Sequence, residues 1–131
     1  MDPPSHVLNG HVFALWGVLD WARATGDESA WQLWRQGAAT LGRHLPEYDC
    51  GYWSLYDLRY RELASRYYQD NIHVPQLHAM HRLTDDATFG DYARRWAAYS
   101  GSLLCRTRWA VGLRLRSRLR GATRTPRSSE L

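Results

Sequence analysis

Residues 51–60, GYWSLYDLRY, place four aromatic rings, one aspartate and one arginine in ten positions beside a glycine. Arginine can hold a carboxylate through two parallel hydrogen bonds. A tyrosine hydroxyl can give or take a proton when a nearby guanidinium lowers its pKa from about 10. The stretch therefore suits the wall of a site for something planar, polar and anionic. A packed loop closed by an Arg–Asp pair accounts for the same residues, and Asp57 reads as a local hydrogen-bonding partner of this stretch, not as a general base. The other group with chemical potential is His73, His78 and His81. No Asp, Glu or Cys completes a ligand set at metal spacing, so these read as residues of a helix surface, and neither a metal nor a cofactor is expected.

The elements that must position these residues follow from helical spacing. Residues 6–24 put apolar side chains at Val7, Leu8, Val12, Leu15, Trp16, Leu19 and Ala22, one broad helical face. TGDES (25–29) interrupts it, with Gly26 as a stop and Asp27 or Ser29 as the next N-cap. Trp31, Trp34, Ala38, Leu41 and Leu45 predict a second helix over 30–45, which Pro46 ends. Residues 46–60 read as a loop with a short extended piece, and 61–69 as a short helix or turn. A third helix is expected over 72–83, starting near Pro75, because proline is tolerated in a first turn. A fourth spans 84–101, with Phe89, Tyr92, Trp96 and Tyr99 on one face. Trp31, Trp34, Phe89, Tyr92 and Trp96 are expected in the core. Arg106 to Arg120 can extend as a basic helix, and TRTPRSSEL (123–131) should be disordered. The fold class is all-α: antiparallel helix pairs of a length that stacks into bundles or α/α toroids, with a disordered basic tail.

Composition narrows the function classes. The chain has 131 residues, with seven Trp and eight Tyr against two Phe, which suits half-wet clefts as well as cores. Residues 1–100 carry nine arginines against twelve acidic residues, a formal charge of −3; residues 101–131 carry eight arginines against Glu130, a formal charge of +7. The basic balance thus belongs to the tail. That tail lacks the interleaved aromatics of a nucleic-acid groove, so no specific nucleic acid is expected as a partner. Cys50 and Cys105 do not make a disulfide framework. Val12 to Leu19, the longest apolar run, is far too short to span a bilayer, and no signal peptide is visible. A cytoplasmic protein without a membrane span is expected.

Four stretches in order carry a family resemblance: PPSHVLNGHVFALWGVLD (3–20), LPEYDCGYWSLYDLRY (45–60), IHVPQL (72–77) and FGDYARRWAAY (89–99). Together they resemble the C-terminal helical domain of the D-glucuronyl C5-epimerases, over roughly residues 3–100. The resemblance implies a helical domain at 3–104, antiparallel helix pairs forming part of an α/α toroid; the charge split sets off the Arg-rich tail at 105–131. It implies inversion of C5 of glucuronate, giving iduronate, within a heparosan-like or heparan-like polysaccharide, by proton removal and return without a cofactor. The acidic, uronate-containing polymer would be the partner, with a homodimer or upstream domains completing the molecule. Tyr56 matches the family's catalytic tyrosine in YDLR, and Arg59 its substrate-contacting arginine. Asn9 of LNG stands where the sugar lies, and Tyr67 and His73 join the substrate contacts. The second catalytic tyrosine belongs four residues before the histidine of H-x-x-Q-L. That position is Gln69 here, and Tyr68 fills the role with one residue inserted. The family's third tyrosine lies just upstream of PPS, where this chain begins at Met1, and its β-rich domains precede that point; an incomplete, weakly active or inactive enzyme is therefore expected. The rival reading is a non-catalytic helical module that binds acidic glycan or another polyanion.

Overall fold

The computed structural model describes residues 4–122. Helix α1 (Leu8–Thr25) buries Leu8, Val12, Leu15, Leu19 and Ala22, the alternating three- and four-residue steps of a helix face turned to a core. It ends at Gly26, whose φ of 71° is left-handed, a conformation open to a residue without Cβ. Asp27 then caps α2 (Glu28–His44) by accepting hydrogen bonds from the backbone N–H groups of Ser29 and Ala30. With a two-residue connection, α2 folds back antiparallel on α1. Gly37 permits their close approach, since a Cβ there would collide with the Leu15 side chain.

A 3₁₀ turn (Leu45–Tyr48) containing Pro46 leads into the loop 49–65. The loop holds no regular strand; isolated antiparallel bridges join Val7 to Asp57, Asp49 to Ser54 and Leu55 to Leu63. A short helix α3 (Arg66–Tyr68) follows, then a π-helical turn (Gln69–His73), then α4 (Val74–Thr84) and α5 (Ala87–Gly101). The third helical segment thus starts well before Pro75, earlier than the sequence suggests. Proline lacks only an N–H, and the π turn ahead of it carries the backbone through without a break. Helix α4 packs on α5 as α1 packs on α2. Tyr48, Trp53, Phe89, Leu77, Met80 and Trp96 form one core with the α1–α2 face.

Trp34, Phe89 and Trp96 are buried as expected, while Trp31 and Tyr92 lie partly buried against that core. An open half-toroid would leave apolar faces around Trp16, Trp34 and Trp96. Instead Trp34 and Trp96 are covered, and the exposed rings are Phe13, Trp21, Tyr60 and Tyr67. Helix α6 (Leu103–Ala122) includes the basic helix anticipated from Arg106 to Arg120; the stretch 123–131, expected to be disordered, lies outside the described residues. Among the described residues no helix is long and apolar enough to cross a membrane.

Candidate active site

The loop that carries Tyr56 is sewn into place by its backbone. Leu8 N–H, at the start of α1, donates to the Tyr56 carbonyl at 3.1 Å, and Tyr56 N–H donates to the Glu62 carbonyl at 2.7 Å. The Ser5 carbonyl accepts from both Leu58 and Arg59 N–H. Asp57, 2% exposed, accepts from Tyr60 N–H at 2.5 Å and Glu62 N–H at 3.4 Å. It is the local hydrogen-bonding partner anticipated from the sequence, and its acceptor capacity goes into loop structure. Trp53, fully buried, donates its indole N–H to the Ala64 carbonyl.

Tyr56 meets Tyr68 edge-to-face, with ring centroids 5.2 Å apart. Tyr68 in turn meets His73 at 6.2 Å, and His73 meets Trp96 at 5.9 Å. Tyr68 and His73 are five residues apart, a spacing that an α-helix would not stack. The π turn at Gln69–His73 supplies the i→i+5 geometry that brings them together. Gln69, the occupant of the tyrosine position by direct count, is fully buried. It accepts from Ser54 N–H and donates to the Trp96 carbonyl and Ser100 Oγ. Its amide is satisfied and structural.

His73 corrects an expectation. It is not on a helix surface but wholly buried, because the π turn rotates it inward. Its Nδ1 lies 3.0 Å from Ser54 Oγ, and burial pushes its pKa down to about 4, so the imidazole is neutral at physiological pH. His78 is exposed, and His81 Nδ1 lies 2.9 Å from the Asp86 carbonyl at the α4–α5 turn. Among the described residues no group of His, Cys, Asp or Glu could hold a metal ion.

Asn9 and Gln76 adjoin the cluster. Gln76 follows His73 by three residues, and its Nε2 reaches the Asn9 carbonyl at 3.4 Å. His73 Nε2, Gln76 Oε1 and Asn9 Oδ1 are all buried and hydrogen-bond to no protein group. Buried polar atoms without partners are rare in packed cores, and the indole nitrogens of Trp16 and Trp96 share this condition. Ser54 and Gln76 were not singled out in the sequence; the Gln of the QL pair was the available signal.

The electrostatics of Tyr56 also depart from expectation. Burial, then the charge and hydrogen bond of Tyr68, then Asp57 and Glu62 push its phenol up. Arg59 stacks over the Tyr60 ring at 5.0 Å. It also lines a neighbouring cavity of about 490 Å³ whose wall includes Leu58 but neither Tyr56 nor Tyr68. Tyr67 is 64% exposed, its ring 6.3 Å from Tyr68. The structure thus gathers Tyr56, Tyr68, His73 and Tyr67, with Asn9 alongside through Gln76, and sets the Arg59 side chain on the cavity.

Three comparisons bear on this cluster. The family model described as D-glucuronyl C5-epimerase C-terminus matches residues 1–98. An uncharacterized protein of Methanocaldococcus jannaschii is 30% identical over 95 residues, covering 72% of this chain and 30% of that protein. A D-glucuronyl C5-epimerase of Caenorhabditis elegans is 30% identical over 115 residues, covering 75% of this chain and 19% of that protein. The chain spans less than a third of the length of either relative, and α6 begins after the family match ends.

Proposed function

The chain belongs to the D-glucuronyl C5-epimerase family, through its C-terminal domain, and from that premise we propose that the Tyr56–Tyr68–His73 cluster exchanges the C5 proton of a uronic acid in an acidic polysaccharide. The observation that carries this reading is the π turn, which sets Tyr68 against both Tyr56 and His73 although the residue count points to Gln69. C5 of a uronate lies next to a carboxylate, so removing its proton leaves charge that the carboxylate can accept. The reaction needs a base, an acid and a cation for that growing charge. Tyr56, whose phenol is held protonated, returns a proton, and Tyr68 takes the C5 proton; the roles exchange in the reverse direction. Arg59 anchors a carboxylate of the polymer, and Asn9, Gln76 and His73 offer their unpartnered polar atoms to sugar hydroxyls. No cofactor takes part. The two helix pairs form part of an α/α toroid, and exposed rings such as Phe13 and Trp21 meet further domains or a second copy.

A second reading, a non-catalytic helical module for acidic glycan, is favoured by one observation. The Tyr56 phenol is pushed up, not down, by burial and by Tyr68, Asp57 and Glu62. Paired binding and exchange measurements on Tyr68→Phe separate the two. Diminished C5 exchange with binding preserved supports the epimerase reading. Exchange undetectable in the unsubstituted chain, with binding intact, supports the module.

A further inference from the structure

Helix α6 starts after the family match ends, and its sequence holds six arginines and no acidic residue. One side of it packs on the tyrosine loop. Trp109 stacks on Trp53, and Gly112 lets the helix close on Leu63, since a Cβ there would stand 3.1 Å from that side chain. Two of the arginines are drawn to the body: Arg108 lies over the Tyr52 ring at 4.6 Å, and Arg116 donates to the Arg61 carbonyl. Leu104, Val111 and Leu115 stand seven and then four residues apart, so they share one edge of the helix over about 16 Å. All three are exposed, by 70%, 48% and 56%. Arg114, four residues before Arg118, and Arg118, seven after Val111, border this stripe. Both are exposed, and no ion pair among the described residues involves either of them.

We propose that this stripe and its flanking arginines are a docking surface for an anionic lipid bilayer, with α6 lying in the plane of the interface. The surface owes nothing to the epimerase reading, because α6 carries none of the residues of that site. Charge complementarity and the apolar edge together select the partner. A bare polyanion would engage the arginines and leave Leu104, Val111 and Leu115 in water. A second copy docked symmetrically would set the arginines against their own like. A bilayer meets both demands. The apolar side chains reach the boundary between headgroups and acyl chains, and the guanidinium groups hold phosphates beside them. Long arginine stems keep the charged ends at headgroup level while the stripe sits deeper. The helix is not apolar enough to cross a bilayer, so the contact is with its surface. The attraction from each arginine fades within a Debye length, which makes binding sensitive to salt.

The test is flotation of the whole chain with vesicles of phosphatidylglycerol and phosphatidylcholine in equal parts, against vesicles of phosphatidylcholine alone. Partition at least about tenfold stronger onto the anionic vesicles is expected, and added salt should weaken it. Arg114→Gln/Arg118→Gln should lower that partition about tenfold or more. Leu104→Ser/Val111→Ser/Leu115→Ser changes exposed positions alone, so its circular dichroism should match the unsubstituted chain. Its partition onto anionic vesicles should also fall about tenfold or more, while retention on immobilised heparin stays unchanged. Equal partition onto the two kinds of vesicle would overturn the proposal. Partition indifferent to the three serines would overturn it as well, and would make α6 an arm for polyanions in general. No flotation of the unsubstituted chain would have the same force; a dimer lost in the serine variant would then assign the stripe to a second copy.

Discussion

Tyr68 and His73 face each other with ring centroids 6.2 Å apart although five residues separate them, because a π-helical turn lies between. That turn decides which residue meets Tyr56 and His73. Gln69 points into the core with its amide fully hydrogen-bonded, so moving the tyrosine to the position of direct count cannot build a site.

Gln69→Tyr is expected to destabilise the fold by upward of about 2 kcal/mol, since it strands Ser54 N–H, removes the bond to Ser100 Oγ and overfills a closed space. Urea denaturation measures this. Tyr68→Phe, at a half-buried position whose hydroxyl is not needed for packing, should cost less than about 1 kcal/mol. A stable Gln69→Tyr variant would show that the π register is not fixed by this side chain.

Stability should fall in acid because of His73. Its folded pKa of about 4 lies below the unfolded value, so its contribution is complete above about pH 6.5 and is lost as pH falls toward 4. The full shift corresponds to roughly 3 kcal/mol. Thermal melts between pH 7 and pH 4 should show the drop, and a folded His73→Gln variant should flatten it. An unchanged slope in that variant would assign the acid sensitivity to other groups.

Helix α6 lies outside the family match but fastens the tyrosine loop. Trp109 stacks on Trp53 at 5.1 Å and donates to the same Ala64 carbonyl that Trp53 uses, and Arg116 donates to the Arg61 carbonyl. Trp109→Ala should cost about 2 kcal/mol, less than a fully buried ring, and expose the loop near Arg61 to trypsin. Trp109→Phe keeps the stack and should lose far less, because the Trp53 indole still satisfies Ala64. Equal cleavage in the unsubstituted chain and Trp109→Ala would mean the loop stands without α6.

The helical frame was legible in the sequence where periodicity and caps agree. Leu8 through Ala22 mark α1, and Gly26 and Asp27 punctuate the turn. The start of the third helical segment was not, because Pro75 resembles a first-turn residue and a π turn has no residue signature. The same turn hid the burial of His73, whose neighbours in sequence suggest a surface. Tyr56 stood out through its motif, but its raised phenol did not, since Tyr68, Asp57 and Glu62 reach it only through the fold. The cavity beside the cluster was illegible for a similar reason: its lining residues His6, His11, His44 and Arg59 share no local pattern.

The most direct measurement is deuterium incorporation at C5 of glucuronate when saturating heparosan oligosaccharide is incubated with the chain in heavy water. Exchange needs only one working face, so it reports the tyrosine cluster without requiring full inversion. Slow incorporation is expected, diminished by Tyr56→Phe and by Tyr68→Phe and abolished when both are replaced, while oligosaccharide binding persists. Undiminished incorporation in Tyr56→Phe, or none in the unsubstituted chain with oligosaccharide bound, would contradict the assignment of proton transfer to this cluster.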